Sequence, residues 1–108
     1  MKKRYAMIIK IKPEKISEYK KLHAAVWPEV IDIMRHYHIK NYSIYLKDNL
    51  LVGYLEYHGD NYTADMQQIA AHEVIQRWWK LTDPCQEPFQ PRQSSEWWTI
   101  MEEVFHMD

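Results

Sequence analysis

The chain has 108 residues, of which 46% are hydrophobic, and this predicts one globular domain spanning residues 1–108. The formal net charge is −1, divided between a basic first half (residues 1–54) and an acidic second half (residues 55–108). A nucleic-acid-binding domain would need a basic excess throughout, so nucleic acid is excluded as a partner.

The residue types that are scarce exclude several further classes. Cys85 is the only cysteine, so neither an internal disulfide nor a cysteine-based zinc site is possible. With two glycines, the chain lacks the glycine-rich loops that hold phosphates, and a nucleotide cofactor is not expected. No apolar run approaches the roughly 18 residues of a membrane span, and no signal-peptide cleavage site is evident. We therefore expect a cytoplasmic protein without a membrane partner.

The first half of the chain changes from a strand pattern to a helix pattern. Residues 5–12 alternate between apolar and polar side chains, which predicts a strand that Pro13 ends. Residues 14–26 follow a helical period. Pro28 suits the first position of a second helix, which continues to residue 37.

The second half repeats the change of pattern. Residues 40–46 and 50–57 alternate on either side of a short polar turn, which predicts an antiparallel hairpin. Residues 62–82 predict one or two helices. Residues 83–97 contain three prolines and no regular period, and so predict a long loop of the kind that is often functional. Residues 99–107 alternate again and predict a last strand.

The predicted order is strand, helix, strand, strand, helix, strand. It indicates the α+β class and a ferredoxin-like (split βαβ) fold, in which helices cover one face of a four-stranded antiparallel sheet. The other face still carries large side chains, which either a second subunit covers or a ligand cavity uses as its lining, and a homodimer is the simpler solution. We therefore expect a homodimer of the dimeric α/β barrel type.

Three residues spaced four apart form the first candidate site. Tyr19, His23 and Trp27 would lie on one side of the first predicted helix. One interpretation is a buried aromatic stripe. The other is a sugar pocket with a phenol that hydrogen-bonds, an imidazole that moves protons near neutral pH and an indole wall.

Tyr42 and the pair Trp78-Trp79 are the other candidates. Tyr42 shares a strand face with Ile44 and Leu46, so it either packs in the core or presents its hydroxyl to a ligand. Neighbours on a helix point about 100° apart, so the two tryptophans cannot fill one narrow stripe. The second indole lies either against a sugar ring or in a subunit interface.

A metal site is not predicted. The segment His72-Glu73-Val74-Ile75-Gln76 nearly matches the zinc-binding pattern HExxH, but its last residue is glutamine rather than the second histidine.

Four segments together resemble one family. They are EYKKLHAAVWPEV at 18–30, NYSIYL at 41–46, QRWWK at 76–80 and EEVFHMD at 102–108. In order and spacing, the chain resembles the L-rhamnose mutarotases. The resemblance implies a small homodimeric isomerase that interconverts the α and β anomers of L-rhamnose, or a similar pyranose, without a metal or organic cofactor. It implies His23 as the catalytic proton donor, and Tyr19, Tyr42, Trp78 and Trp79 as substrate-binding residues.

The implied reaction opens and closes the sugar ring. On this hypothesis His23 protonates the ring oxygen on opening and takes the proton back on closing. Two alternatives use the same fold. One is a cofactor-independent monooxygenase or haem-degrading enzyme, whose flat substrates would also suit aromatic walls. The other is a sugar-binding module without catalysis.

Overall fold

Five strands and four α-helices form the described part of the chain, residues 2–90 and 96–108, in the computed structural model. The strands are β1 (Lys3–Ile11), β2 (Ile39–Lys47), β3 (Leu50–Tyr57), β4 (Gln86–Glu87) and β5 (Thr99–Met101). The helices are α1 (Ile16–His23), α2 (Pro28–His36), α3 (Tyr62–Ala71) and α4 (Glu73–Thr82), with 3-10 turns at Pro13–Lys15 and Asp83–Cys85. Each helical region between strands therefore holds two helices.

All the strand pairs are antiparallel, and the order across the sheet is β2-β3-β1-β4. This is the order of a ferredoxin-like sheet, which confirms the predicted fold class. Along the length from Lys3 to Lys10, β3 occupies one edge of β1. The short strands β4 and β5 both pair with β1, and they share the position of the fourth strand on its other edge.

The core lies between the sheet and the helices. Met7, Ile9 and Ile11 of β1 are buried, as the alternation predicts. In β3 the buried residues also alternate, so both central strands turn one apolar face toward the helices. A core cluster joins this face to the helices through Val30, Ile69, Ile75 and Trp78.

Two predicted boundaries near the C-terminus were wrong. The predicted loop 83–97 contains a 3-10 turn and the strand β4, while its Pro91 lies outside the described residues. The predicted strand 99–107 ends at Met101, and residues 102–108 belong to no strand. Alternation alone does not make a strand, because its backbone groups also need a neighbouring strand with which to hydrogen-bond.

Within residues 2–90 and 96–108, the helices lack the combination of length and apolar character that crossing a membrane requires.

Candidate active site

A cavity of about 700 Å³ lies between helices α1, α2 and α4 and strands β2 and β3. All five predicted site residues line it, from the three elements α1, β2 and α4: Tyr19, His23, Tyr42, Trp78 and Trp79. The cavity lies on the helix-covered side of the sheet. It is lined by residues of the core cluster described above and of a second core cluster, which consists of Ile9, Ile11, Tyr19, Leu51 and Cys85. The fold thus brings together residues that the sequence separates by up to 60 positions.

His23 is the last residue of α1, and its ring has one fixed tautomer. Its Nδ1 lies 3.0 Å from the backbone carbonyl oxygen of Tyr19. A carbonyl oxygen only accepts, so Nδ1 carries the proton, and the neutral ring keeps its lone pair on Nε2. Burial lowers the pKa of His23 below its ordinary value of 6.5, against the opposite effect of this hydrogen bond. The neutral imidazole therefore predominates at neutral pH.

Tyr19 lies one helical turn before His23, and its ring packs on the imidazole. The two ring centroids are 4.2 Å apart, and Tyr19 is buried in the second core cluster. Its hydroxyl accepts a hydrogen bond of 3.0 Å from Nε2 of Gln86. Burial raises the pKa of Tyr19 well above its ordinary value, so the hydroxyl keeps its proton and cannot act as a base.

Trp27 does not extend the aromatic side of α1, because the helix ends at His23. The residue before a proline is disfavoured in helical geometry, and Trp27, before Pro28, has φ −59° and ψ 130°. Its ring nevertheless lies 5.2 Å from the ring of Trp78 in an edge-to-face contact. Trp27 therefore does not line the cavity itself, but it packs against Trp78, which does.

Both members of the tryptophan pair on α4 line the cavity. Trp78 is 4% exposed and belongs to the core cluster, and its ring meets the ring of His23 edge to face at 5.5 Å. Trp79 is partly buried and packs against the same cluster. The 100° turn between them therefore does not send one indole away from the site. Trp78 forms the floor between core and cavity, and Trp79 extends the wall.

A β-bulge in β2 turns Tyr42 toward the cavity. Lys40 pairs with Glu56 and Ser43 pairs with Tyr54, so Asn41 and Tyr42 together oppose a single residue of β3. Asn41 has φ 49°, a left-handed conformation that asparagine tolerates better than most residues, and its Nδ2 donates to Glu56 Oε1 at 2.8 Å. The extra residue places Tyr42 on the helix-covered face of the sheet.

The Tyr42 hydroxyl is protonated at neutral pH. Although the side chain is 37% exposed, burial raises the pKa of its hydroxyl to about 12. Tyr42 can therefore donate a hydrogen bond to a ligand in the cavity as well as accept one.

Gln86 and Trp98 are lining residues that the sequence analysis did not identify. Gln86 follows a 3-10 turn and lies in a two-residue strand, where no periodic pattern could have marked it. Trp98 packs over Gly53 of β3, where a Cβ atom would lie 3.4 Å from its ring and 3.1 Å from Met7 Cγ. The sequence contains a second tryptophan pair at Trp97-Trp98, but no periodic pattern assigns it to a face of the sheet.

The charged residues that line the cavity are all cations, namely Lys20, Arg35 and Lys40. Among the described residues, no aspartate or glutamate lines it. A carboxylate beside His23 would favour the imidazolium, so this composition agrees with a neutral ring. Residues 2–90 and 96–108 also contain no group of three or more His, Cys, Asp and Glu residues placed to hold a metal ion.

Comparison with known proteins identifies relatives along nearly the whole chain. A family model described as L-rhamnose mutarotase matches residues 4–107. The L-rhamnose mutarotase of Oceanobacillus iheyensis is 33% identical, and the match covers 98% of this chain and 99% of that protein. The corresponding protein of Pectobacterium carotovorum is 34% identical, with 97% and 98% covered.

Two solved structures share the fold at lower sequence identity. An L-rhamnose mutarotase from Formosa agariphila superposes with a TM-score of 0.76 at 23% identity, covering 98% of this chain and 99% of that one. The tetracenomycin F2 cyclase of Streptomyces glaucescens superposes with a TM-score of 0.75 at 12% identity, covering 98% and 97%. At these identities the superpositions support the architecture alone.

The two indoles of α4 should differ in their contribution to stability. We expect Trp78→Ala to lower the free energy of unfolding by about 3–5 kcal/mol, because it removes a large side chain from the core. Trp79→Ala should cost about 1–2 kcal/mol, since that indole is only partly buried. Urea denaturation of both variants measures the difference. Equal losses would contradict the assignment of Trp78 to both core and cavity.

Proposed function

This chain belongs to the L-rhamnose mutarotase family, and on that basis we propose that it is an isomerase that interconverts the α and β anomers of L-rhamnose. The observation that supports the chemistry best is His23, a half-buried imidazole with a fixed tautomer in an aromatic cavity. Exchange of anomers requires a group that both takes and returns a proton near neutral pH, and imidazole is the side chain suited to this.

The lowered pKa of His23 sets the order of the proton movements that we propose. The neutral ring first accepts the proton of the anomeric hydroxyl on Nε2, while Nδ1–H stays bonded to the Tyr19 carbonyl oxygen. The electrons of that O–H bond form the carbonyl, the bond between the anomeric carbon and the ring oxygen breaks, and the ring oxygen takes a proton from a tyrosine hydroxyl that hydrogen-bonds to it, that of Tyr19 or Tyr42. After the carbonyl presents its other face, the ring oxygen attacks it and gives this proton back to the tyrosine oxygen. The imidazolium then returns its own proton to the former carbonyl oxygen, which becomes the new anomeric hydroxyl.

This order revises the sequence-based hypothesis, in which His23 protonates the ring oxygen on opening. The difference has a physical cause, because burial disfavours the imidazolium that such a donor would have to be at rest. The role of His23 as proton donor then falls on ring closing, when it returns the proton that it has taken.

The remaining predicted residues would bind the sugar. Tyr19 and Tyr42 have protonated hydroxyls that can donate hydrogen bonds to sugar oxygens. Trp78 and Trp79 would lie against the apolar C–H face of the pyranose. Family membership favours this function over three alternatives: a monooxygenase, a haem-degrading enzyme and a sugar-binding module without catalysis. None of the described contacts in the cavity favours any of these alternatives.

We also propose a homodimer in which a second copy covers the outer sheet face and the C-terminal segment 102–108. Large apolar side chains are exposed there: Tyr45 at 64%, Val104 at 88%, Phe105 at 78% and Met107 at 78%. Exposed apolar surface of this kind marks an interaction site. We place this single domain in the cytoplasm, in keeping with Cys85 being a buried free thiol.

Replacement of His23 should abolish most of the activity. We expect His23→Ala to lower turnover by about 10²–10⁴-fold with little loss of folding, because it removes the proton acceptor from the end of a helix. Saturation-transfer NMR between the two anomeric protons of L-rhamnose measures exchange at equilibrium. His36→Ala is the matched control, an exposed histidine near the end of α2 that does not line the cavity. Full activity in His23→Ala would refute the assignment.

The pH profile should show a single inflection below pH 6.5. The active form is the neutral imidazole, and its pKa in the folded protein is lowered from 6.5. Turnover should therefore be constant above that inflection and fall about tenfold per pH unit below it. The measurement is the same exchange rate between pH 4.5 and 8, corrected for exchange without protein. A rate that rises on acidification would mean that the imidazolium is the active form.

Acidic substitution in the C-terminal segment should dissociate the dimer. We expect the double variant Val104→Asp, Phe105→Asp to sediment as a monomer, because it would place charges in an apolar interface. Analytical ultracentrifugation distinguishes the two masses. Leu81→Asp introduces one such charge at an apolar residue of α4 that is 41% exposed, and it should leave the dimer intact, whereas Phe105→Asp alone should weaken it. A monomeric wild-type protein would refute the proposed assembly.

A further inference from the structure

A chain of hydrogen bonds behind the cavity runs from Trp97 through Gln86 to Tyr19. Nε1 of Trp97 lies 2.8 Å from Oε1 of Gln86, and Nε2 of Gln86 lies 3.0 Å from the hydroxyl oxygen of Tyr19. Gln86 and Tyr19 are each 5% exposed. A buried polar chain of this kind is costly unless every bond is made, so its geometry is tightly constrained.

The direction of every bond in this chain is fixed by the indole. An indole N–H can only donate, so the amide atom that it meets must be the carbonyl oxygen of Gln86. The other end of the amide is therefore the NH₂ group, and the Tyr19 hydroxyl oxygen accepts from it. A flipped amide would place two donors against each other at Trp97. Tyr19 consequently uses its oxygen as the acceptor in this bond and keeps its own proton for another partner.

The proton of Tyr19 has no acceptor among the described residues, 2–90 and 96–108. The hydrogen bond that the structure gives this hydroxyl is the one that it accepts from Gln86. Tyr19 also lines the cavity, beside His23. The hydroxyl is thus placed to donate this proton to an oxygen of a molecule bound in the cavity.

We propose that Gln86 is a positioning residue that aims the Tyr19 proton at a sugar oxygen, with Trp97 holding the amide in the required orientation. The inference rests on the proposed function and extends it to a residue that does not touch the reacting atoms. A donor fixed in advance costs no reorganisation when negative charge develops on the ring oxygen during opening. Gln86 would thereby supply, through Tyr19, stabilisation of the ring oxygen, while His23 acts on the anomeric hydroxyl.

The decisive variant is Gln86→Glu, which keeps the shape of the side chain but makes it an acceptor only. The introduced carboxylate would still accept from Trp97, and it would also accept the proton of Tyr19, which would turn away from the sugar. We expect kcat at pH 7 to fall by about 10²-fold, the order found for loss of one donor aimed at developing charge. KM should change much less, since the interaction is strongest in the transition state.

Lowering the pH should rescue this variant relative to the wild-type protein. Once protonated, the introduced carboxyl has one carbonyl acceptor for Trp97 and one O–H donor for Tyr19, which reproduces the polarity of glutamine. Burial should raise the pKa of this carboxyl, so the recovery should begin above pH 4.5. A ratio of variant to wild-type rates that does not change with pH would refute the proposal and leave Gln86 a packing residue.

A second background tests whether Gln86 acts through Tyr19. If it does, Gln86→Glu should cause little further loss in a Tyr19→Phe protein, because the hydroxyl that it positions is already gone. Additive losses would refute the inference. Gln68→Glu makes the same chemical change on an exposed part of α3 and should leave turnover unchanged at every pH.

Sugar affinity separates failure of this inference from failure of the proposed function. L-Rhamnose titration followed by tryptophan fluorescence measures binding in the wild-type protein and in both Gln86→Glu and Gln68→Glu. If the wild-type protein binds the sugar without exchanging its anomers, the proposed function is wrong. In that case a loss of affinity confined to Gln86→Glu, and reversed at low pH, would still support the positioning of Tyr19. In a protein that only binds the sugar, equal affinity in the three proteins at every pH would refute it.

Discussion

The burial of Trp78 is the constraint on which the site depends. This indole is at once part of the core cluster and part of the cavity, and it meets both His23 and Trp27 edge to face. Edge-to-face aromatic pairs have preferred distances and angles, so α4 cannot shift without disturbing the junction between α1 and α2. The position of the imidazole is therefore set by the packing that holds the domain together.

The polarity of the cavity follows from what surrounds the imidazole. Aromatic rings and one backbone carbonyl contact His23, and the described lining contributes no carboxylate. Such surroundings remove water without offering a negative charge, so they favour the neutral ring. The cavity also contains the hydroxyls of Tyr19 and Tyr42, whose pKa values are raised, so both are hydrogen-bond donors at neutral pH. A neutral base beside two neutral hydroxyl donors is a suitable arrangement for moving protons between the oxygens of an uncharged sugar.

Much of this could be predicted from the sequence, because much of it is periodic. The alternation of Met7, Ile9 and Ile11 predicted the buried face of β1, and Pro28 predicted the start of α2. The five candidate site residues line one cavity, as the family resemblance implied. Their chemical roles remain predictions. Trp27 was misplaced because its helical spacing suggested a helix that the following proline interrupts.

The residues that could not be predicted lie where regular structure is broken. Gln86 has no signal in the sequence, because its position is set by a 3-10 turn and by two residues paired with β1. The last strand was predicted too long because alternation does not show whether a neighbouring strand is available for hydrogen bonding. Both errors concern long-range pairing, which a local pattern does not contain.

The same breaks in regularity build the cavity. The bulge at Asn41 lets both Ile39 and Tyr42 face the helices, although residues three positions apart in a regular strand would face opposite sides of the sheet. The missing side chain at Gly53 leaves room for Trp98 over the sheet, and the turn before Gln86 brings its amide to Tyr19. Without the bulge, a regular β2 would direct Ile39 and Tyr42 to opposite faces of the sheet, and Tyr42 would not reach the cavity. The bulge, the glycine and the 3-10 turn are thus the irregular features that place polar and aromatic side chains in the cavity.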